Sequence, residues 1–187
     1  MKRIARLLIL VFLLSGCSPG AGEMNRCLAL RKQVLGASAV CFTVHGAADY
    51  GSEVFEFSMD CEGKPDGSLD FVMTAPETIS GISGSVTAQG GKLRFSETVV
   101  AFPNLAEDLP SPVSAPWALY ETLRNGFFRS AGKEGEAIVL EADSGYREGD
   151  FSLEITLDDG EKVTGCDIFD GERRILTLSV ENFRVED

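Results

Sequence analysis

From Val40 onward the apolar residues of this chain recur at every second position. Val40, Phe42 and Val44 alternate with Cys41, Thr43 and His45, and the pattern returns at Phe55, Phe57 and Met59, at Leu69, Phe71 and Met73, and at Phe151, Leu153, Ile155 and Leu157. A period of two places each set on one face of an extended strand, so every run predicts a strand with one dry and one wet side. Strands of this kind separated by turns predict a twisted antiparallel sheet with a single apolar face. That face has to be covered, and two stretches carry helical spacing. Residues 23–35 place Met24, Cys27, Leu28, Leu30, Val34 and Leu35 on helical positions and stop at Gly36. Residues 115–124 have Pro116 in their first turn, Ser114 placed to cap them and Asn125-Gly126 to end them. The fold class is therefore α+β, with helices packed on one side of a curved antiparallel sheet.

Turn chemistry divides the rest. Ala47 to Gly51 and Gly63-Lys64-Pro65-Asp66-Gly67 separate the first three strands, and Pro76-Glu77 opens a single helical turn closed by Gly81. Short strands around Val86 and around Leu93 and Phe95 meet at Gln89-Gly90-Gly91, with another over residues 98–102. Residues 103–114 hold three prolines and no period, which predicts the longest loop of the chain, either functional or a packed connector. Further strands are expected over residues 137–142, 163–169 and 175–183, and Asp158-Asp159-Gly160 and Asp170-Gly171 are tight turns whose glycines tolerate positive φ. Trp117, the single tryptophan, sits where it packs its helix onto the sheet.

The start of the chain has a different logic. Lys2, Arg3 and Arg6 precede an apolar run over residues 7–14, and small residues then lead to a cysteine, the order of a secretory signal. Leu14-Ser15-Gly16-Cys17 resembles the lipobox of bacterial lipoproteins, which implies acylation of the Cys17 thiol and removal of residues 1–16. An ordinary signal peptide is the alternative. Residues 17–22 then form a lipid-anchored tether, and residues 23–187 one domain at the outer face of the cell membrane. The apolar run falls short of the ~20 residues a membrane-spanning helix needs, so the lipid is the anchor. Of 17 basic and 29 acidic residues, the signal removes three basic ones, leaving 14 against 29 and a net charge of -15. Such a surface repels phosphate backbones and anionic headgroups, excluding nucleic acid as a partner and holding the domain off its own membrane.

Cys27, Cys41, Cys61 and Cys166 are able to pair outside the cytoplasm, in any of three connectivities. Cys41 has the parity opposite to Val40 and Phe42, whereas Cys61 shares that of Phe55 and Phe57, so a direct Cys41–Cys61 bridge would need a bulge. No CxxC pair and a single histidine speak against a metal, and no cofactor motif occurs. Asp60-Cys61-Glu62-Gly63-Lys64 departs from a calcium loop at its lysine. His45 lies near Asp49 without a nucleophile in the sequence around it, and Gly81-Ile82-Ser83-Gly84-Ser85 misses the nucleophile elbow.

Several features together resemble one lipoprotein group: the cysteine, the early helix, the meander ending in Pro76-Glu77-Thr78-Ile79-Ser80-Gly81-Ile82, Ser111-Pro112-Val113-Ser114 before a helix, Asn125-Gly126-Phe127 and the run into Phe183. They look like clostridial lipoproteins similar to the germination lipoprotein GerS, themselves similar to the LolA/LolB carriers. The resemblance implies an incomplete barrel whose concave face is covered by helices, and no catalytic residue. Phe42, Phe55, Phe57, Phe71, Trp117 and Phe151 would then either line an apolar pocket or fill a core. The function expected is a non-enzymatic, surface-tethered module binding an envelope protein or an acyl-chain ligand. The alternative is an envelope hydrolase using acidic residues.

Overall fold

A computed structural model describes residues 20–51, 53–106, 109–145 and 151–187. Helix α1 (Ala21–Gly36) precedes strands β1 (Ala39–Asp49), β2 (Val54–Gly63), β3 (Leu69–Ala75), β4 (Ser83–Thr87), β5 (Gly90–Phe95) and β6 (Thr98–Phe102). A short ladder of β7 (Leu105–Ala106) with β8 (Leu109–Pro110) and a 3-10 turn at Pro112–Ser114 lead into helix α2 (Ala115–Asn125). Strands β9 (Phe127–Glu134), β10 (Ala137–Asp143), β11 (Ser152–Leu157), β12 (Val163–Asp170) and β13 (Arg173–Glu186) follow.

Eleven of these strands form one open antiparallel sheet, ordered β6-β5-β4-β3-β2-β1-β13-β12-β11-β10-β9. It consists of two meanders joined where β1 pairs with β13, from Ala39 opposite Glu186 to Ala48 opposite Leu176. The predicted alternation is what the burial follows. Val40, Phe42 and Val44 of β1, Phe57, Met59 and Cys61 of β2 and Leu153, Ile155 and Leu157 of β11 are buried on one face, together with Cys27, Leu30 and Val34 of α1. Both helices therefore lie on the dry face.

The connection between the meanders starts at one edge strand and ends at the other, so it has to traverse the sheet. On the dry face Val113 packs against the core, and Ala115, Pro116, Leu119, Tyr120, Thr122 and Leu123 of α2 are buried there. The described part of the expected long loop holds a two-residue ladder and a 3-10 turn.

Where an aromatic ring meets a strand on this face, the facing residue is repeatedly glycine. Gly46 is the register partner of Phe57, Gly84 of Phe71 and Gly91 of Phe102. A Cβ on Gly46 would stand 2.2 Å from Phe57 Cζ, and one on Gly63 would stand 2.6 Å from the Tyr120 ring. Rings seated against glycines let the sheet and α2 approach closely.

Polar clamps fix the helices. Tyr120 Oη donates to the Lys64 carbonyl at 2.7 Å, Arg124 donates to the carbonyls of Lys64 and Pro65, and Trp117 Nε1 donates to that of Gly67 at 3.0 Å. Three side chains of α2 thereby hold the β2–β3 turn. Arg31 of α1 donates to the carbonyls of Thr122, Leu123 and Gly126 and lies 3.5 Å from the Phe128 ring centroid. A cation on the last carbonyls of a helix satisfies acceptors that have no partner within it and opposes its dipole. Arg26 pairs with Glu161 at 2.8 Å, tying α1 to the β11–β12 turn.

One strand has no counterpart in the sequence pattern, and three local expectations are corrected. The strand at 127–134 has no apolar alternation, because β9 is a sheet edge whose Phe-Phe-Arg-Ser-Ala-Gly-Lys-Glu leaves only Ala131 buried. The first hairpin turn falls later than expected, since β1 runs through Ala47 and Ala48 to Asp49. Ser114 does not cap α2; its hydroxyl donates to the carbonyls of Asn104 and Ser111, tying the crossover to itself. In the β11–β12 turn the positive φ of 64° falls on Glu161 and not on Gly160, with the turn held by Asp158 Oδ1 accepting the Lys162 N–H.

Gly46→Ala is expected to lower stability by about 1–3 kcal/mol, the usual range for overpacking, because the new methyl meets the buried Phe57 ring. Gly22→Ala, where nothing lies within 4 Å in α1, is expected to be neutral or stabilising by up to ~1 kcal/mol. Urea unfolding of the two variants checks both.

Candidate binding trough on the polar face

The wet face of the sheet is not flat. Across β13, β1, β2, β3, β4, β5 and β6 it forms a trough of about 680 Å³. Strand register explains its chemistry, because successive cross-strand partners line up in rows. One row runs Arg184, Cys41, Glu62, Asp70, Ser85, Lys92, Ala101, and the next includes Thr43, Asp60, Val72, Ser83, Arg94, Val99. At roughly 4.8 Å per strand, Arg184 and Lys92 stand about 24 Å apart, with carboxylates between them. Acid therefore sits at the centre and cation at both ends.

The carboxylates are partly engaged. Asp60 accepts the Thr43 hydroxyl at 2.8 Å, and Asp70 accepts Lys64, which raises the Lys64 pKa chiefly through that hydrogen bond. Glu62 stands directly opposite Asp70. Glu62 is exposed and Asp70 half-buried. At the β5 end, no described carboxylate pairs with Lys92 or Arg94.

Of the sequence-predicted pocket residues, Phe42 and Phe71 border the trough, and Phe55, Phe57, Trp117 and Phe151 are not among its lining. Phe42 is buried and meets Phe183 with ring centroids 6.0 Å apart, Phe57 and Phe71 are buried over their glycines, and Trp117 and Phe151 are half-buried. Phe55 is exposed beside Tyr50. Leu14, Ser15, Gly16 and Cys17 lie outside the described residues. Among the described residues, no helix is long and apolar enough to cross a membrane, and no cluster of three or more His, Cys, Asp or Glu is placed to hold a metal.

Cys27, Cys41, Cys61 and Cys166 are free thiols. The parity reading holds, with Cys61 in the core and Cys41 half-exposed on the trough floor. Burial pushes the Cys27 thiol up to about 11 and raises Cys61 and Cys166 further. Cys41 is raised by partial burial and then by Glu186 and Glu62.

The trough rows escaped the sequence reading because register is a tertiary property. So did a partner for His45, whose Nδ1 is 2.8 Å from Ser58 Oγ across the β1–β2 ladder and whose Nε2 is 3.8 Å from Glu181. Asp49, its neighbour in sequence, lies near Arg173 instead. Ser58, His45 and Glu181 are not among the residues that line the trough.

No protein-family model matches the chain, and no curated protein matches its sequence. Among solved structures, an uncharacterized conserved protein from Thermus thermophilus is similar at 12% identity and a TM-score of 0.50, over 88% of each chain. A LolA superfamily protein from Nitrosomonas europaea is similar at 6% identity and a TM-score of 0.45, over 86% of this chain and 94% of that one. The lipoprotein LppX of Mycobacterium tuberculosis is similar at 11% identity and a TM-score of 0.42, over 87% and 93%.

Iodoacetamide treatment of the native chain is expected to alkylate Cys41 among these four thiols, since the other three are buried. Its raised pKa leaves less thiolate at a given pH, so the rate should trail that of free cysteine at pH 8 and climb as pH passes the ordinary thiol range. Peptide mass mapping across a pH series measures both.

Proposed function

We propose that this chain is an extracytoplasmic lipoprotein, held to the outer face of the cell membrane by lipid on Cys17, whose domain binds an envelope protein along its polar trough. The order of charged, apolar and small residues before Cys17 supports the anchor. The open eleven-stranded sheet with helices on its dry face, together with the sequence motifs, supports a LolA/LolB-like half-barrel whose helices cover the concave side.

One observation carries the choice of ligand. Phe42, Phe57 and Phe71, the aromatics that would receive acyl chains, are only 2–6% exposed and packed into the core; Phe42 and Phe71 also border the 680 Å³ trough, whose wet-face lining includes Asp60, Glu62, Asp70, Lys92, Arg94 and Arg184. An acyl chain needs a dry concavity. A polar row with charge of both signs suits instead a protein surface that answers it group by group. The resemblance to the clostridial germination lipoproteins supports the same choice.

Native mass spectrometry of the full chain, released from membranes in mild detergent, is expected to give a mass without a non-covalent lipid. One equivalent of bound acyl lipid overturns the partner-binding role. Cys17→Ser is expected to move the chain out of the membrane fraction, and its retention there overturns the anchor.

A further inference from the structure

The two edges of the sheet are treated differently. Edge β9 carries Arg129, Lys133 and Glu134, and the start of α1 passes so close that a Cβ on Gly20 would stand 2.3 Å from the Ala131 carbonyl oxygen. Edge β6 reads Thr98-Val99-Val100-Ala101-Phe102 without a charge. Val99 is 57% exposed and Val100 54%, next to Phe95 at 66% on β5. An edge strand presents a row of unpaired N–H and C=O groups, and charge, proline or a covering element normally blunts it. At β6 no described residue does so.

The surroundings of β6 specify what would pair with it. On the wet face, Lys92 and Arg94 of β5 stand opposite Ala101 and Val99, at the end of the trough, without a carboxylate partner among the described residues. In a chain of net charge -12, two adjacent cations of this kind are an unmet demand for acid, and the small Ala101 leaves Lys92 a path over β6. On the dry face, Phe95, Val100 and Phe102 offer apolar surface. A strand added beyond β6 would meet cations on one side and hydrocarbon on the other, which its own period of two can answer.

We propose that β6 is a strand-addition site for an extended segment of a partner protein in which acidic and apolar side chains alternate. This rests on the binding-module reading above and names the chemistry of the partner. A second copy of β6 has no acid within the strand to offer, so self-pairing leaves Lys92 and Arg94 unmet.

The test uses the full chain in detergent and an acetylated, amidated octapeptide alternating glutamate and valine, with a lysine–valine octapeptide as control. Fluorescence anisotropy is expected to show the glutamate peptide binding roughly tenfold tighter or better, and hydrogen exchange to slow at residues 98–102. The double variant Lys92→Glu, Arg94→Glu is expected to reverse the preference. Both side chains are exposed and have no ion-pair partner among the described residues, so its thermal unfolding midpoint should match that of the parent chain. Equal affinity for the two peptides, slowed exchange confined to the trough floor, or a dimer through β6 that excludes the peptide would each overturn the proposal. Failure here with a lipid-free chain removes the edge site alone; failure of the binding-module reading is seen separately, as bound lipid in the mass spectrum.

Discussion

When β1 pairs with β13, the first and last strands become the centre of the sheet and leave its two ends to the middle of the chain. One meander then grows outward from β1 to β6, and the other returns inward from β9 to β13. The segment between β6 and β9 has to pass from one edge to the other, and the dry face is where it can bury apolar surface on the way. Helix α2 and its approach occupy that path, and α1 covers more of the same face. Without the β1–β13 ladder there would be two smaller sheets, each with an apolar face and no shared cover.

Close approach between the layers depends on what the facing positions lack. Gly46, Gly84 and Gly91 leave room for the rings of Phe57, Phe71 and Phe102, and Gly63 for Tyr120. The same α2 face then reaches the β2–β3 turn through Trp117, Tyr120 and Arg124, while Arg31 of α1 closes the other end of α2 over three carbonyls. Hydrocarbon sets the layers together, and a few charge-assisted hydrogen bonds set their orientation.

A dry face committed to packing leaves the wet face exposed. Its trough is built from side chains that each strand had to expose, brought into rows by register. The charge pattern, with acid in the centre and cations at Arg184 and at Lys92 and Arg94, is therefore a consequence of which residues stand opposite each other across seven strands. The open β6 edge continues this surface on the side where the cations lie.

Much of the fold was legible in the chain because a period of two or of 3.6 is a local property: β1, β2, β3 and β11 and both helices follow directly from where Val40, Phe57, Leu69, Ile155, Leu30 and Leu119 fall. β9 was illegible, since an edge strand with a single buried residue has no alternation to reveal. The free state of the four cysteines, the serine beside His45 and the packing of the 3-10 turn Pro112–Ser114 before α2 also depended on distant segments. Alternation along the chain by itself determined that the sheet has one dry face and which residues occupy it. Only the tertiary structure decided which strands are neighbours, and hence that Glu62 faces Asp70, that Lys92 and Arg94 stand beside an open edge and that the trough exists. Side-chain parity is written into consecutive residues, whereas register is chosen by contacts between residues far apart in sequence.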